Sequence, residues 1–381
     1  MSYTIPFNKP YFTGEETKYI EEAVKNGHIS GNGMFTKRCQ HFFEERYGFK
    51  KTLLTTSCTD ALEMAAILLD LKEGDEVIMP SYTFVSTANA FELRGAKIIF
   101  ADSMSENPNM DVEKVEALIT PRTKAIVVVH YAGFACDMGR VMEIANKHQL
   151  FVVEDAAQAI DNYYINKEGI HIPLGGIAHL ATFSFHETKN IISGEGGMLV
   201  VNDERFVERA EIIWEKGTNR SAFFRGEVNK YGWVDIGSSF LPSEIVAAFL
   251  WAQIEQMENI QNKRKMHWNQ YNTELASWAI EKGVSLVGIP PYSTNNAHMY
   301  YMVFKSLEER TEVIARLKEH NILSVFHYQS LHKSDFFAKE HDGRVLEHAD
   351  RYSDTLLRLP LYYELTSSDI SSITGTIKNC L

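Results

Sequence analysis

"DEVIMPSYTFVSTANAFELRGAKIIFAD", residues 75–102, decides the fold class. "DEVIMP" is a short apolar run of strand length, "FVSTANAFELRG" carries a helical pattern that stops at Gly95, and "KIIFAD" is a second short apolar run. Strand, helix and strand in close succession need a crossover, and continuous rather than alternating apolar strands need cover on both faces. The pattern repeats outward. Upstream, "LLTTSCTDALEMAAILLDL" (53–71) is a buried strand, a polar turn and a helix. Downstream follow a helix from Asp111 ("DVEKVEALI"), a strand "KAIVVVH", a helix "MGRVMEIANKHQ" and a strand "LFVVEDA". The strands "ATFSFH" and "GMLVV" and a helix near "RFVERAEIIWEK" complete the run. The chain is therefore expected to be α/β, with a mostly parallel sheet covered by helices.

The flanks carry their own signals. Thr13 with Glu16 reads as a capping box for a first helix ending at Gly27, and Thr36 as the cap of a second. Residues 217–239, "GTNRSAFFRGEVNKYGWVDIGSS", are glycine-rich and polar with interspersed aromatics, an ordered loop by composition. One long helix is expected over about 243–280. Beyond it, "MYYMVF", a helix capped by Ser306 and Glu309, "ILSVFHY" and a helix from Thr366 form a second, smaller α/β unit. The boundary falls near residue 255, dividing the chain into a large domain (1–255, with an N-terminal arm) and a small one (256–381).

The 381 residues carry a net charge of -12, which argues against a nucleic-acid binder because such proteins present a basic face. Four scattered cysteines without a CxxC pair give no metal spacing and suit a reducing cytoplasm. "MSYTIPFNKP" has neither the basic start nor the apolar stretch of a signal peptide, and no run approaches a membrane span. The expectation is a cytoplasmic protein with no membrane partner.

In an open α/β sheet, ligands bind beyond the carboxyl ends of the strands. The groups delivered there are Ser57, Cys58 and Thr59; Ser81, Tyr82 and Phe84; Asp155 and Gln158; and Ser184 and His186, with Lys189 just beyond. Singly, Ser57 or Thr59 is a helix cap, Phe84 core, Lys189 a solvated loop residue, and His130, His186 and His327 hydrogen-bonded structural histidines. Together they match pyridoxal phosphate. That cofactor needs a lysine to hold its aldehyde, a carboxylate on its ring nitrogen, an aromatic on its ring face and a helix N-terminus for its phosphate. The glycines of "SGEGG" would let backbone approach a bulky ligand.

"VVEDAAQA", "FSFHETKN", "GEGGMLV", "VFHYQSLH" and the stretch 75–102 together resemble the DegT/DnrJ/EryC1/StrS family of sugar aminotransferases, through nearly the whole chain. The resemblance implies a fold-type I enzyme with a mixed, mostly parallel seven-stranded sheet, and a homodimer with shared active sites. It implies that Lys189 is the Schiff-base lysine, Asp155 the partner of the pyridine nitrogen, Gln158 the neighbour of the phenolic oxygen and Phe84 the stacked aromatic. Ser184, Thr59 and the amide of Cys58 would cradle the phosphate. Ser239 would reach the phosphate of the neighbouring subunit, where many members have asparagine; Glu187 stands where many have proline.

Within the family, "FSFHETKN", "EKGTNRSAFFRG" and "DIGSSFL" resemble members that make TDP-4-amino-4,6-dideoxygalactose from TDP-4-keto-6-deoxyglucose with glutamate as donor. Such products serve cell-surface polysaccharides, including lipopolysaccharide and enterobacterial common antigen. Amination at C3 or a gluco epimer is the alternative. A sugar dehydratase of the same family is argued against by Lys189, and a non-catalytic regulator by the presence of both Lys189 and Asp155. An acidic chain must gather cations locally for an anionic sugar nucleotide. Lys216, Arg220, Arg225 and Lys230 are the expected cluster, with Arg220, Arg225 and His327 the expected substrate contacts.

Overall fold

A computed structural model describes residues 3–380. Nine strands precede residue 202: β1 (Lys51–Thr55), β2 (Glu76–Pro80), β3 (Lys97–Ala101), β4 (Thr123–Val129), β5 (Phe151–Asp155), β6 (Tyr163–Ile165), β7 (His171–Pro173), β8 (Leu180–Ser184) and β9 (Gly197–Val201). Seven of them form one sheet in the order β1-β9-β8-β5-β4-β2-β3, while β6 and β7 pair as a hairpin. Only β9 runs against the other six, pairing antiparallel with β1 and β8. The expected mixed, mostly parallel sheet is thus observed.

Burial on both faces explains the unbroken apolar strands. Val77, Met79, Ala125, Val127 and Val153 belong to one buried cluster, and their alternate neighbours Ile78, Ile126, Val128 and Val152 to the other. Helices α1 (Glu16–Lys25), α2 (Met34–Tyr47), α3 (Cys58–Leu68), α4 (Val85–Glu92), α5 (Met138–His148), α6 (Val207–Trp214), α7 (Arg220–Phe224), α8 (Glu244–Glu255) and α9 (Met257–Lys282) supply the cover and the link onward. A second sheet follows, made of β10 (Ser285–Leu286), β11 (Tyr300–Val303), β12 (Val325–Phe326) and β13 (Leu356–Leu359), in the order β10-β11-β13-β12. Helices α10 (Leu307–Glu319), α11 (Glu347–Thr355) and α12 (Ser367–Lys378) complete that unit. Tyr300, Met302 and Leu357 from it join the same buried cluster as Val77 and Val153, so one face of the large sheet and the small sheet share a core.

Several local expectations are corrected. Residues 111–119 form two 3₁₀ turns, Val112–Lys114 and Glu116–Leu118, instead of a helix. Glu116 is drawn out of that stretch to Lys147 and His148 at the end of α5. Thr36 lies inside α2, which starts after Gly33. Its amide, with those of Gly33 and Phe35, donates to the carboxylate of Glu244 at the start of α8. The long helix of 243–280 breaks at Gln256 into α8 and α9, at the position of the expected domain boundary. Thr13 and Glu16 form half a box: Glu16 accepts from the amides of Thr13 and Gly14, while Thr13 Oγ1 accepts from Glu15. Ser306 caps α10, but Glu309 accepts from the amide of Lys305 in place of Ser306. The reciprocal box belongs to Thr366 and Asp369.

Candidate active site

A cavity of about 720 Å³ opens where β1, β2, β4, β5 and β8 end, and residues of the small unit wall it from the other side. Cys58, Thr59, Phe84, Asp155, Gln158, Ser184, Lys189 and His327 all line it. Ser239, Arg220 and Arg225 do not. Ser239 is exposed on the loop before α8, and Arg225 is held by Glu211 and Glu227. Arg220 lies over the Phe224 ring. The expected cation cluster is therefore not at this chain's own cavity; the cations that line it with Lys189 are Arg264 and Arg358.

The chain builds each side of the cavity from short turns. Ser57 leaves β1 extended and caps α3 by accepting from the Asp60 amide at 3.0 Å, so the first turn of α3 points its free amides at the cavity. Thr59 Oγ1 donates to Ser86 Oγ at 2.8 Å, tying α3 to α4. Gly197 starts β9 directly against this turn: a Cβ there would lie 2.4 Å from the backbone of Ser57 and Cys58. Gly197 is thus required for backbone-to-backbone closure onto α3, while Gly196 lines the cavity, in keeping with the expected backbone approach to a ligand.

Asp155 ends β5, buried, with Thr87 Oγ1 donating to one oxygen at 2.7 Å and the Ala157 amide to the other at 3.2 Å. Burial raises its pKa, opposed by these two bonds and by the charge of Lys189. Lys189 follows β8 in a tight turn, its amide donating to the His186 carbonyl. Burial lowers its pKa, opposed by Cys58 and Asp155, which favours the neutral, nucleophilic amine. Phe84, a large aromatic, is 55% exposed and lines the cavity, where it is available to a planar ligand. Gln158 accepts from the Ala132 amide at 2.7 Å and donates to Tyr328 Oη at 3.1 Å. His327 stacks on Tyr328, and burial pushes its pKa well down, so the ring is neutral.

Thr87, Tyr328, His298, Arg264 and Arg358 escaped the sequence reading. An arginine inside the apolar run "LLRLPL" was the available signal for Arg358.

Residues 10–378 match the DegT/DnrJ/EryC1/StrS aminotransferase family. The chain belongs to that family. It is 30% identical to GDP-perosamine synthase of Escherichia coli O157:H7 over 98% of this chain and 97% of the relative. It is 29% identical to the spore coat polysaccharide biosynthesis protein SpsC of Bacillus subtilis, over 99% and 97%. Its fold is similar to that of the putative sugar aminotransferase Spr1654 of Streptococcus pneumoniae, solved in a PLP form, with a TM-score of 0.89 at 24% identity over 99% and 98%. Among the described residues no helix is long and apolar enough to cross a membrane, and no three metal-ligating side chains converge.

Proposed function

We propose that this aminotransferase uses pyridoxal 5′-phosphate to move the amino group of glutamate onto a nucleotide-linked 4-keto-6-deoxyhexose. TDP-4-keto-6-deoxyglucose is the first candidate, giving TDP-4-amino-4,6-dideoxygalactose for a cell-surface polysaccharide. The observation that carries the reading is the placement of Lys189 and Asp155 on one cavity with an open helix N-terminus and an exposed aromatic ring. The donor set fits the cofactor: amides of α3 with Thr59 and Ser184 for the phosphate, Phe84 for the ring face, Asp155 for the ring nitrogen and Lys189 for the aldehyde. The relative named GDP-perosamine synthase, whose name states a nucleotide-linked amino sugar, supports the substrate class. SpsC supports a polysaccharide destination.

When bound, the cofactor supplies an aldehyde that carries the amino group and a ring that takes up the electrons of the bond broken at the donor's α-carbon. The rest is work for the chain. The Asp155 carboxylate holds a proton on the ring nitrogen, and its own orientation is fixed by Thr87 and the Ala157 amide. The Lys189 amine, once released, moves a proton from the donor's α-carbon, and burial keeps it able to accept one. α3 would hold the anionic end. Gln158 and Tyr328, hydrogen-bonded to each other, form part of the cavity wall.

Ser239 lies outside its own chain's cavity, exposed, on a loop whose Trp233 is 85% exposed, and Phe224 at the end of the preceding α7 is 69% exposed. These features support a homodimer in which Ser239 meets the phosphate held by the other subunit.

The test is to incubate the purified protein with glutamate and candidate nucleotide keto sugars and identify the product by NMR. A 4-amino galacto product is expected. Visible absorption of the bound cofactor should be lost in Lys189→Ala, and a band unchanged in that variant assigns the cofactor to another lysine. No amination of any nucleotide 4-keto sugar, with the band intact, overturns the substrate.

A further inference from the structure

His298 stands two residues before β11, buried, on the same cavity as Lys189. Its Nδ1 lies 2.9 Å from Oδ1 of Asn190, the residue that follows Lys189 in the chain. The rest of the Asn190 amide settles the direction of that bond. Asn190 Nδ2 is 2.8 Å from the Asn296 carbonyl, which can only accept, and 2.7 Å from Gln261 Oε1. The amide nitrogen therefore faces Asn296, the amide oxygen faces the ring, and His298 Nδ1 must carry the proton. Burial, with the charges of Lys189, Arg264 and Arg358, pushes the His298 pKa well down, so the ring holds that proton alone. Nε2 is left with a lone pair and has no hydrogen bond among the described residues. The backbone beneath the ring is held as well: Asn296 Oδ1 accepts from the His298 amide at 3.1 Å, and Arg264 Nη2 donates to the His298 carbonyl at 2.6 Å.

A neutral imidazole fixed in one tautomer, with its acceptor nitrogen open among cations, calls for a donor. We propose that His298 Nε2 accepts a hydrogen bond from Lys189 Nζ and so positions the amine that moves the proton. The proposal rests on the aminotransferase reading above and adds a positioning residue to it.

Lys189 is the cation that fits. Arg264 commits Nε and Nη2 to the carbonyls of Ala297 and His298, and Arg358 turns Nη2 to the Phe326 carbonyl. Lys189 Nζ has no hydrogen bond of its own among the described residues, and its charge bears on His298. Asn190 ties the two together: its side chain sets the ring, and its backbone continues from the lysine. The need arises when the Lys189 amine takes the proton from the donor's α-carbon and becomes an ammonium away from bulk water. A bond from that ammonium to Nε2 stabilises the charged form at the moment it appears.

Two amide side chains separate the ring's two nitrogens. His298→Asn keeps an N–H where Nδ1 stands, for Asn190, and leaves nothing at Nε2; His298→Gln carries an acceptor out to the Nε2 position. The first measurement uses the full chain freed of cofactor and follows acetylation of Lys189 by acetic anhydride against pH, read by mass spectrometry. Asp155, Cys58 and Arg358 also bear on the amine and are the same in every variant. An ammonium that loses its acceptor titrates lower, so the midpoint should fall by about one to two pH units in His298→Asn and stay close to wild type in His298→Gln. The second measurement uses the holoenzyme and glutamate deuterated at the α-carbon. His298→Asn should slow bleaching of the cofactor band by about ten- to hundredfold, with a larger isotope effect and an unchanged glutamate KM, and His298→Gln should recover most of the rate.

A midpoint that does not move in His298→Asn, or falls equally in both variants, overturns the proposal. So does a raised KM for the nucleotide sugar with the glutamate half-reaction intact, which gives Nε2 to a sugar hydroxyl. A midpoint that shifts as expected, in a protein whose wild-type cofactor band glutamate never bleaches, leaves His298 with Lys189 and sinks the aminotransferase reading instead, so the two failures are separable.

Discussion

Asp155 is held by two hydrogen bonds inside a buried pocket, and that arrangement makes a specific demand on its charge. An amide side chain would keep the shape and lose the anion. Asp155→Asn should therefore retain the cofactor, measured by visible absorption, but slow both half-reactions. A charge-assisted hydrogen bond contributes about 1.5–3 kcal/mol, or one to two decades in rate if it is expressed in the transition state. Stopped-flow traces with glutamate check this, and wild-type rates would remove Asp155 from the mechanism. Asp155 and Lys189 were legible in the sequence because strand ends are readable from short apolar runs. Thr87 was not: it stands 68 residues away in sequence, and only the fold, which brings α4 to the end of β5, carries its hydroxyl to the carboxylate.

At the scale of elements, the site depends on how closely β9 approaches α3. Gly197→Ala places a methyl group 2.4 Å from the Ser57 and Cys58 backbone, so the first turn of α3 must move. The expected cost is about 1–3 kcal/mol in stability, with a loss of cofactor affinity that exceeds it in proportion, because α3 carries the phosphate end. Titration with pyridoxal phosphate and a urea melt, side by side, measure both.

A second element-scale clamp lies beneath the site. Glu154, beside Asp155 on β5, accepts from His130 Nε2 at 3.0 Å and from the amides of Gly175, Ile177 and Ala178. Burial alone would raise this carboxyl, but His130 and the Ala178 and Gly175 amides outweigh it and the net shift is downward. A depressed native pKa means that the stabilisation is complete above the ordinary carboxylate value and is lost as pH falls through the native one. Glu154→Gln should thus cost about 3 kcal/mol at pH 7, and the gap to wild type should close in urea melts taken toward acid pH. The helices that the sequence misplaced failed for related reasons. Thr36 had the right chemistry for a cap, but a carboxylate distant in sequence, Glu244, took the amides first.

At the scale of the molecule, the cavity's cations come from α9 and β13, not from the glycine-rich loop. Composition identified the loop as charged, but Arg225 spends its charge on Glu211 and Glu227. The proposed sharing of sites between subunits can be tested directly. Ser239→Asp would place an anion against the phosphate of the other subunit and should abolish activity in a pure dimer. Mixed and re-formed with Lys189→Ala, it should recover about a quarter of wild-type activity, since half the dimers then carry one intact site. No recovery, with exchange shown by sedimentation, would mean that each chain completes its own site.

We propose residue 255 as an organisational boundary between the two sheets, with a consequence for how the protein comes apart. Because Tyr300, Met302 and Leu357 lie in one apolar cluster with Val77 and Val153, the small unit shares its interior with one face of the large sheet, while the other face has a cluster of its own. A chain ended at Gln256 would leave that face of the large sheet bare to water and prone to self-association. In a scanning calorimeter the intact protein should show one endotherm, and a protease should find no long-lived half-molecule along the way.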